Sequence, residues 1–373
     1  MSSLIKSGIK KSFNLVGLEL RRRIDRPDAE HLDGNLVIPR IWERPVFSSL
    51  IASRLAPGAE VALLGSQDEI NFLRSEIEQH GRQVVPILWN WDSPDSAGIP
   101  DKAIIVLCKV PLSESQWRTV AAFQDRFGSR VVGIQELVLP FTAIQQGQAD
   151  LTYNLANLEE LVSYYQGREF FGPIAELNAL FPLAGKRVIE FGPMEGAQTA
   201  GLVHFGAASV TCIEARAVSL IKTMIAKYCF NWDNVSLIMD DFHNARQAKY
   251  GVFDLAFAHG VYYHSIAPFY FFENLMSLSA NIFIGGYCVE NVESNPNHEV
   301  LEYEGKQYHV ARHKIADTYN SAVNEFAYHF TKDDLVGFFS DRGYKTTLIS
   351  DEVPEPPEDE YGDRFVRFLA QRQ

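Results

Sequence analysis

The sequence predicts an α/β protein built on parallel sheets, with two modules in tandem and the chemistry in the second. Three observations lead there. Short apolar runs alternate with amphipathic stretches of helical length from about residue 60 onward, the pattern of strand–helix–strand units. In the second half, four successive apolar runs stop at acidic, histidine or glycine residues, at Glu190, Glu214, Asp240-Asp241 and His259-Gly260. Ligands of open α/β sheets sit at the carboxyl ends of the strands. Finally, Val188–Thr199 (VIEFGPMEGAQT) reads as a buried strand, a tight glycine turn and a helix entry. Gly192 can take the positive φ that such a turn needs, and Gly196 leaves room for a close approach.

The bulk numbers fit this picture. The chain has 373 residues, 46% hydrophobic and 12% aromatic, enough for a sizeable core in each of two domains. Its formal net charge of −13 argues against a broad, non-specific grip on nucleic acid, which needs a basic field. Cys108, Cys212, Cys229 and Cys288 form no C-x-x-C pair and read as reduced thiols. With no apolar run of spanning length and no signal-peptide pattern, a cytoplasmic location is expected.

Residues 1–40 read as an amphipathic helix and a linker. Ile5, Ile9, Phe13, Val16 and Leu20 recur at helical spacing, and Lys6, Lys10, Lys11 and Arg21–Arg23 make the stretch basic. Peripheral membrane contact through residues 2–23 and packing on the protein or on a partner subunit of a homodimer are the open alternatives. Residues 41–144 read as a small Rossmann-like α/β module. Its strands are Glu60–Leu64, Gln83–Leu88, Ala103–Val110 and Arg130–Ile134, and its helices are Gln67–His80 and Ser113–Phe127, the latter with Ser113 as N-cap and Gln116 placed for a capping box. Gly65-Ser66 is a single glycine turn without a phosphate fingerprint. The module is therefore expected to serve docking, dimerisation or support, with a nucleotide site at Gly65–Asp68 as the sharper alternative. Residues 145–169 read as a helical connector.

Residues 170–373 form the second module. After Phe170–Phe181 (helix) come the strand ending at Glu190, helix Gln198–Phe205, strand Ser209–Ile213, helix Ala217–Cys229, strand Val235–Met239, strand Val252–Ala258, helix Pro268–Ser277 and strand Asn281–Val289. Residues 290–325 read as an insertion without strong periodicity. Helix Thr331–Arg342, capped by Thr331 and with Asp333-Asp334 in its first turn, precedes a closing pair of strands at Lys345–Ser350 and Arg364–Ala370.

From Phe170 to Gln373 this series resembles the class I S-adenosylmethionine-dependent methyltransferases. VIEFGPMEGAQT, SVTCIEAR, LIMDDF and YGVFDLAFAHGVYYH carry the resemblance. The last is similar to a subgroup with G-V-x-Y-H after the fourth strand, which includes tRNA wobble-uridine carboxymethyl-transfer enzymes and bacterial methyltransferases. The family's commoner turn is Asp-x-Gly-x-Gly-x-Gly; here Gly192 and Gly196 remain, while Pro193 and Glu195 stand between them.

The resemblance implies S-adenosyl-L-methionine as cofactor. Glu190 would hold its amino end, with Gly192, Pro193 and Gly196 forming the turn around it. Glu214, followed by Ala215, would take the ribose hydroxyls. Asp240 or Asp241, with Phe242 beside them, would meet the adenine edge. The 24 residues from Glu190 to Glu214 are close to the ~20 expected between a glycine turn and a ribose-binding acid. The loop His259–His264 would face the transferred methyl, with His264 as general base, Tyr263 orienting the acceptor or lining the sulfonium pocket, and His259 beside cofactor and acceptor. Each of these groups alone also reads as a solvated strand end or a helix cap. His309 and His313 would share a helix face, but H-E-x-x-H is absent and no metal site is expected.

The expected function is methyl transfer to O or N of a small metabolite or a sugar/glycan intermediate. A tRNA or RNA base-modifying methyl or carboxymethyl transferase, and an inactive binding or scaffold protein of the same fold, are the alternatives.

Overall fold

The computed structural model describes residues 58–79, 81–91, 98–108, 113–134, 168–290, 292–314, 326–353 and 363–373, with Leu55 and Pro111. The amphipathic stretch 2–23, the linker, nearly all of the connector 145–169, residues 315–325 of the insertion and the acidic turn 354–362 lie outside the described residues.

The first sheet contains β1 (Glu60–Gly65), β2 (Gln83–Leu88), β3 (Ile104–Leu107) and β4 (Val131–Gly133), all parallel and in the order β2-β1-β3-β4. Val61–Leu64 of β1 are buried on both faces, as expected for an inner parallel strand flanked by helices. Pro86 falls in β2, an edge strand, where a missing N–H costs no ladder bond on the open side. Helix α1 (Gln67–Gln79) follows β1. Helix α2 (Glu114–Phe127) follows β3 and starts at Ser113, whose side chain accepts from the Gln116 amide.

The second module begins with α3 (Arg168–Leu180). Then come β5 (Arg187–Phe191), α4 (Ala197–His204), β6 (Ser209–Glu214), α5 (Ala217–Phe230), β7 (Val235–Met239), the short α6 (Gln247–Tyr250), β8 (Leu255–His259), α7 (Pro268–Leu278) and β9 (Asn281–Val289). After an inserted meander of β10 (His298–Tyr303), β11 (Lys306–Lys314) and β12 (Phe326–Phe330), the chain ends with α8 (Lys332–Ser340), β13 (Tyr344–Glu352) and β14 (Asp363–Arg372). The main sheet has seven strands in the order β13-β14-β9-β8-β5-β6-β7. β5 to β9 run parallel, and β14 is antiparallel to both β9 and β13. This is a doubly wound sheet closed by an antiparallel pair, the fold class expected from the sequence. Alternate residues of β5 face opposite layers. Val188 packs with Ile174, Val210 and Phe257, whereas Ile189 packs with Ile213, Phe271 and Ile284.

The insertion departs from expectation. Residues 298–314 form an antiparallel hairpin that β12 extends to three strands. Its turn is Glu304-Gly305, both at positive φ (52° and 75°). A two-residue turn of that kind matches the twist of the flanking strands, so the hairpin closes without a longer loop. His309 and His313 therefore lie on strand β11, not on a helix.

The two sheets meet through α2 and α7. The Glu114 carboxylate accepts the Phe269 amide (2.8 Å) and the Tyr270 amide (3.0 Å) at the start of α7, where unpaired N–H groups and the positive dipole end favour an anion. Ala267 and Tyr270 pack into the apolar core of the first sheet, beside Trp117 and Phe123. Burial pushes the Glu114 carboxyl above its ordinary pKa, opposed by those amides and by Arg118.

Candidate functional site

The carboxyl ends of four adjacent strands, read across the sheet as β8, β5, β6 and β7, carry His259, Glu190, Glu214 and Asp240-Asp241 along one edge. Glu190 is fully buried. Its Oε2 accepts the Thr199 hydroxyl at 2.7 Å and the Cys212 thiol at 3.4 Å, whereas Oε1 is buried without a partner. Burial drives its pKa up to about 7 against the pull of those two donors, and the nearby Glu214 charge adds to the rise. A half-satisfied carboxyl at that depth is costly for the chain alone and suits a donor or cation brought by a ligand.

The turn after β5 is shaped by its own packing. Gly192 (φ 62°) and Gly196 (φ 84°) are both left-handed. A Cβ on Gly196 would come within 2.8 Å of Thr223 on α5, and one on Gly192 within 3.2 Å of Val261. The room left by Gly196 is thus filled by α5. Met194 between them also takes a positive φ (54°), unusual for a residue with a side chain. That strain is held by three bonds: Met194 N–H to Glu214 Oε2 (3.2 Å), Thr223 hydroxyl to the Met194 carbonyl (2.9 Å), and Gly196 N–H to the Pro193 carbonyl (2.8 Å). Glu195 pairs with the buried Lys222.

Glu214, at the end of β6, takes the Met194 amide on Oε2 and the Arg216 amide (2.9 Å) and Nε (3.3 Å) on Oε1. A carboxylate offers about four lone-pair positions. One remains for a ligand hydroxyl, and a grip on two hydroxyls requires the Arg216 side chain to swing aside. Ala215 is buried just beyond it. Asp240 is fully engaged. It accepts Lys249 Nζ (2.8 Å), Asn244 Nδ2 (3.0 Å), the Asp241 amide (2.9 Å) and the Tyr250 hydroxyl. Asp241 accepts the His243 amide (2.9 Å) and ring Nδ1 (2.7 Å), both on Oδ1, which leaves Oδ2 for another donor. Phe242 packs on Phe271 and on the His243 ring.

His259 lies nearly parallel to Phe257 and Phe283, with ring centres 6.1 Å and 5.9 Å away. Its Nε2 accepts Arg367 Nε (3.2 Å), so the neutral ring carries its hydrogen on Nδ1, 2.5 Å from Gln198 Nε2, and that contact is a hydrogen bond only with the Gln198 amide turned to present its oxygen. Burial, then the Arg367 charge, lowers its pKa to about 3. Tyr263 and His264 occupy a single 3₁₀ turn after β8. Burial, then the charges of Arg216 and His329, lowers the His264 pKa to about 4. At neutral pH both imidazoles are uncharged, and each is a weaker proton acceptor than an ordinary histidine.

Sequence reasoning missed the wall opposite this turn. Tyr263 meets Tyr287 of β9 and His329 of β12, both at 5.4 Å between ring centres. His329 in turn lies 4.4 Å from His313, and Tyr287 lies 5.0 Å from Phe365. The insertion strands thus bring two histidines beside the loop after β8. The consecutive Gly285-Gly286 of β9 were a readable signal. A Cβ on Gly285 would strike the His259 ring at 2.3 Å, and one on Gly286 would strike the Tyr262 ring at 2.3 Å. The strand is bare on both faces because two rings lie on it. Among the described residues no group of three or more His, Cys, Asp or Glu side chains is arranged to hold a metal ion.

No family model and no curated protein matches the chain. Solved structures do. The N-terminal domain of EvdMO1, crystallised in the presence of S-adenosylhomocysteine and D-fucose, is 17% identical, over 55% of this chain and 84% of that one, with a TM-score of 0.47. The Burkholderia thailandensis 1,6-didemethyltoxoflavin-N1-methyltransferase is 16% identical over 58% of this chain and 86% of that one (TM-score 0.36). The magnesium protoporphyrin IX methyltransferase of Synechocystis PCC 6803 is 14% identical over 64% of this chain and 97% of that one (TM-score 0.39). Similarity at this level concerns the sheet architecture; it assigns no residue role and no substrate to this chain.

Proposed function

We propose that this chain is an S-adenosyl-L-methionine-dependent methyltransferase acting on an oxygen or nitrogen of a small metabolite or a sugar/glycan intermediate. The observation that carries the reading is spatial order. Across β8, β5, β6 and β7 lie, in turn, the aromatic loop 259–264, Glu190 with an unpartnered buried oxygen, Glu214, and Asp241 with an oxygen to spare. A molecule laid along that edge with its methyl at β8, its amino end at β5, its ribose at β6 and its adenine at β7 meets a fitting group at each step. Asp240 drops out of this set, because its four donors come from the protein itself. The bound cofactor supplies an electrophilic methyl group on a sulfonium.

What the chain's own residues do follows from their state. Glu190 places beneath the turn negative charge, or a carboxyl that releases its proton to solvent when a cation is brought beside it. The Tyr263 face and the neutral His264 orient an acceptor and exclude water, and alignment supplies most of the rate in an in-line displacement. His259, neutral and accepting Arg367 Nε on Nε2, serves to anchor Arg367. Arg216, Arg364 and Arg367 at this edge each pair with a carboxylate, of Glu214, Asp351 and Glu352, which does not favour an RNA acceptor. Among the described residues no helix is long and apolar enough to cross a membrane.

The test is calorimetric titration of the wild type and Glu214→Ala with S-adenosylmethionine and S-adenosylhomocysteine. Wild type should bind at micromolar concentration, and the variant about 10- to 100-fold more weakly, the value of a lost charged hydrogen bond. A folded wild type that binds neither ligand overturns the reading. Binding without turnover across hydroxyl and amine acceptors supports the scaffold alternative.

A further inference from the structure

We infer that the first module completes the adenine end of the cofactor site, with Trp117 of α2 and His243 acting as positioning residues for the Asp241 carboxylate. The inference rests on the cofactor reading above. His243 is 1% exposed, and its ring lies 4.7 Å from that of Trp117 at 19° between planes, with Phe242 against it at 4.3 Å. Its two nitrogens span two loops: Nδ1 to Asp241 Oδ1 at 2.7 Å and Nε2 to Ser265 Oγ at 2.7 Å. Ser265 also accepts the Ala267 amide at 3.1 Å. The arrangement that uses every hydrogen has the serine hydroxyl donating to Nε2 and Nδ1–H donating to Asp241. Asp241 is thereby held through one oxygen, with the other turned to a further donor.

The imidazole plane sets where that carboxylate points, and Trp117 sets the plane. The indole N–H of Trp117 is buried without a partner, so the side chain contributes its face rather than a hydrogen bond. The same helix secures the rest of the loop: Arg246 Nη1 reaches the Ala121 carbonyl (3.0 Å), Arg246 pairs with Asp125, and Glu114 caps α7. Asn274 of α7 closes the ring by donating to the His243 carbonyl (2.8 Å). A module that looks separate in sequence thus supplies the wall behind the acid proposed to read the adenine amino group.

The experiment compares S-adenosylhomocysteine with S-inosylhomocysteine, which carries an oxygen in place of the adenine amino group. In full-length wild type, Asp241 should favour the adenosine form by about tenfold or more, since a carboxylate faces a donor in one and an acceptor in the other. In Trp117→Leu and His243→Phe the preference should fall to within about twofold, with S-inosylhomocysteine affinity little changed. His243→Asn restores an N–H near the Nδ1 position and should recover part of the preference. Equal loss of affinity for both ligands, or an unchanged preference in folded variants, overturns the inference. Should Trp117→Leu not fold, the His243→Phe and His243→Asn pair carries the test. A wild type that binds neither ligand fails the cofactor reading itself, and one that binds both equally removes Asp241 from the adenine edge.

Discussion

Two strand-to-helix turns in this chain have the same topology and opposite chemistry. β1 ends at Gly65 and enters α1, and β5 ends before Gly192 and enters α4, each at the carboxyl edge of a parallel sheet. At the first turn the chain answers its own needs. Ser66 and Glu69 form a capping box, with the Ser66 amide to Glu69 Oε2 at 2.8 Å and the Glu69 amide to Ser66 Oγ at 3.4 Å. Asp68 adds a second negative charge in that turn, so a phosphate would meet two carboxylates where it needs open N–H groups. The sharper alternative of a nucleotide site at Gly65–Asp68 fails on this point. At the second turn α4 has neither an acid in its first turn nor a side-chain cap, Met194 is strained, and Glu190 keeps a buried oxygen without a partner. A strand end becomes a candidate ligand site where the chain leaves its own polar groups unpaid.

The contrast can be broken hardest at Gly196. Gly196→Ala forces a side chain into left-handed backbone and against Thr223, and should cost about 4 kcal/mol in urea unfolding. The measurement is the shift in urea midpoint at constant slope. Next comes pH. Because folding raises the Glu190 pKa to about 7, the folded chain holds a proton that the unfolded chain has already lost above about 4.5. This group's contribution to stability therefore falls as pH rises through that window and levels off above about 7, by about 3 kcal/mol in total. Unfolding of wild type and Glu190→Gln at pH 5 and pH 8 isolates it; equal pH dependence in the two proteins would remove Glu190 from the account. The smallest effect sharpens the other side. Glu69→Ala should cost about 1 kcal/mol of stability by thermal melting and leave S-adenosylmethionine binding unchanged.

Much of the second sheet was legible because parallel strands announce themselves as apolar runs stopped by polar or glycine residues. β7 and β9 match their expected bounds, and β5, β6 and β8 end within a residue of theirs. The hairpin at 298–314 was not, because its turn begins with Glu304 where the usual signal is Asn or Asp before glycine. Ser66–Glu69 has the S-x-x-E spacing of a capping box and makes both of its bonds, a local signal as readable as the S-x-x-Q at Ser113–Gln116. Within the site, the acids were found from strand ends, but which oxygens remain open depends on partners far along the chain. Lys249 and Tyr250 claim Asp240, and Arg216 occupies part of Glu214. Tyr287, His313, His329 and Phe365 come from four later strands, and no single window of sequence holds them together.

The bond from Glu114 to the first turn of α7 joins residues 155 positions apart, and that from Arg246 to Ala121 spans 125. During synthesis α2 therefore leaves the ribosome well before the helix it caps. Until then its acid stays in water and the indole of Trp117 lacks both of its ring partners, His243 and Tyr270. Loops of that length carry a closure cost that the native contacts must offset, and the start of α7 gains its cap only when the two segments meet. The joint between early and late segments is thus one that the chain can make only after α7 itself has been synthesised.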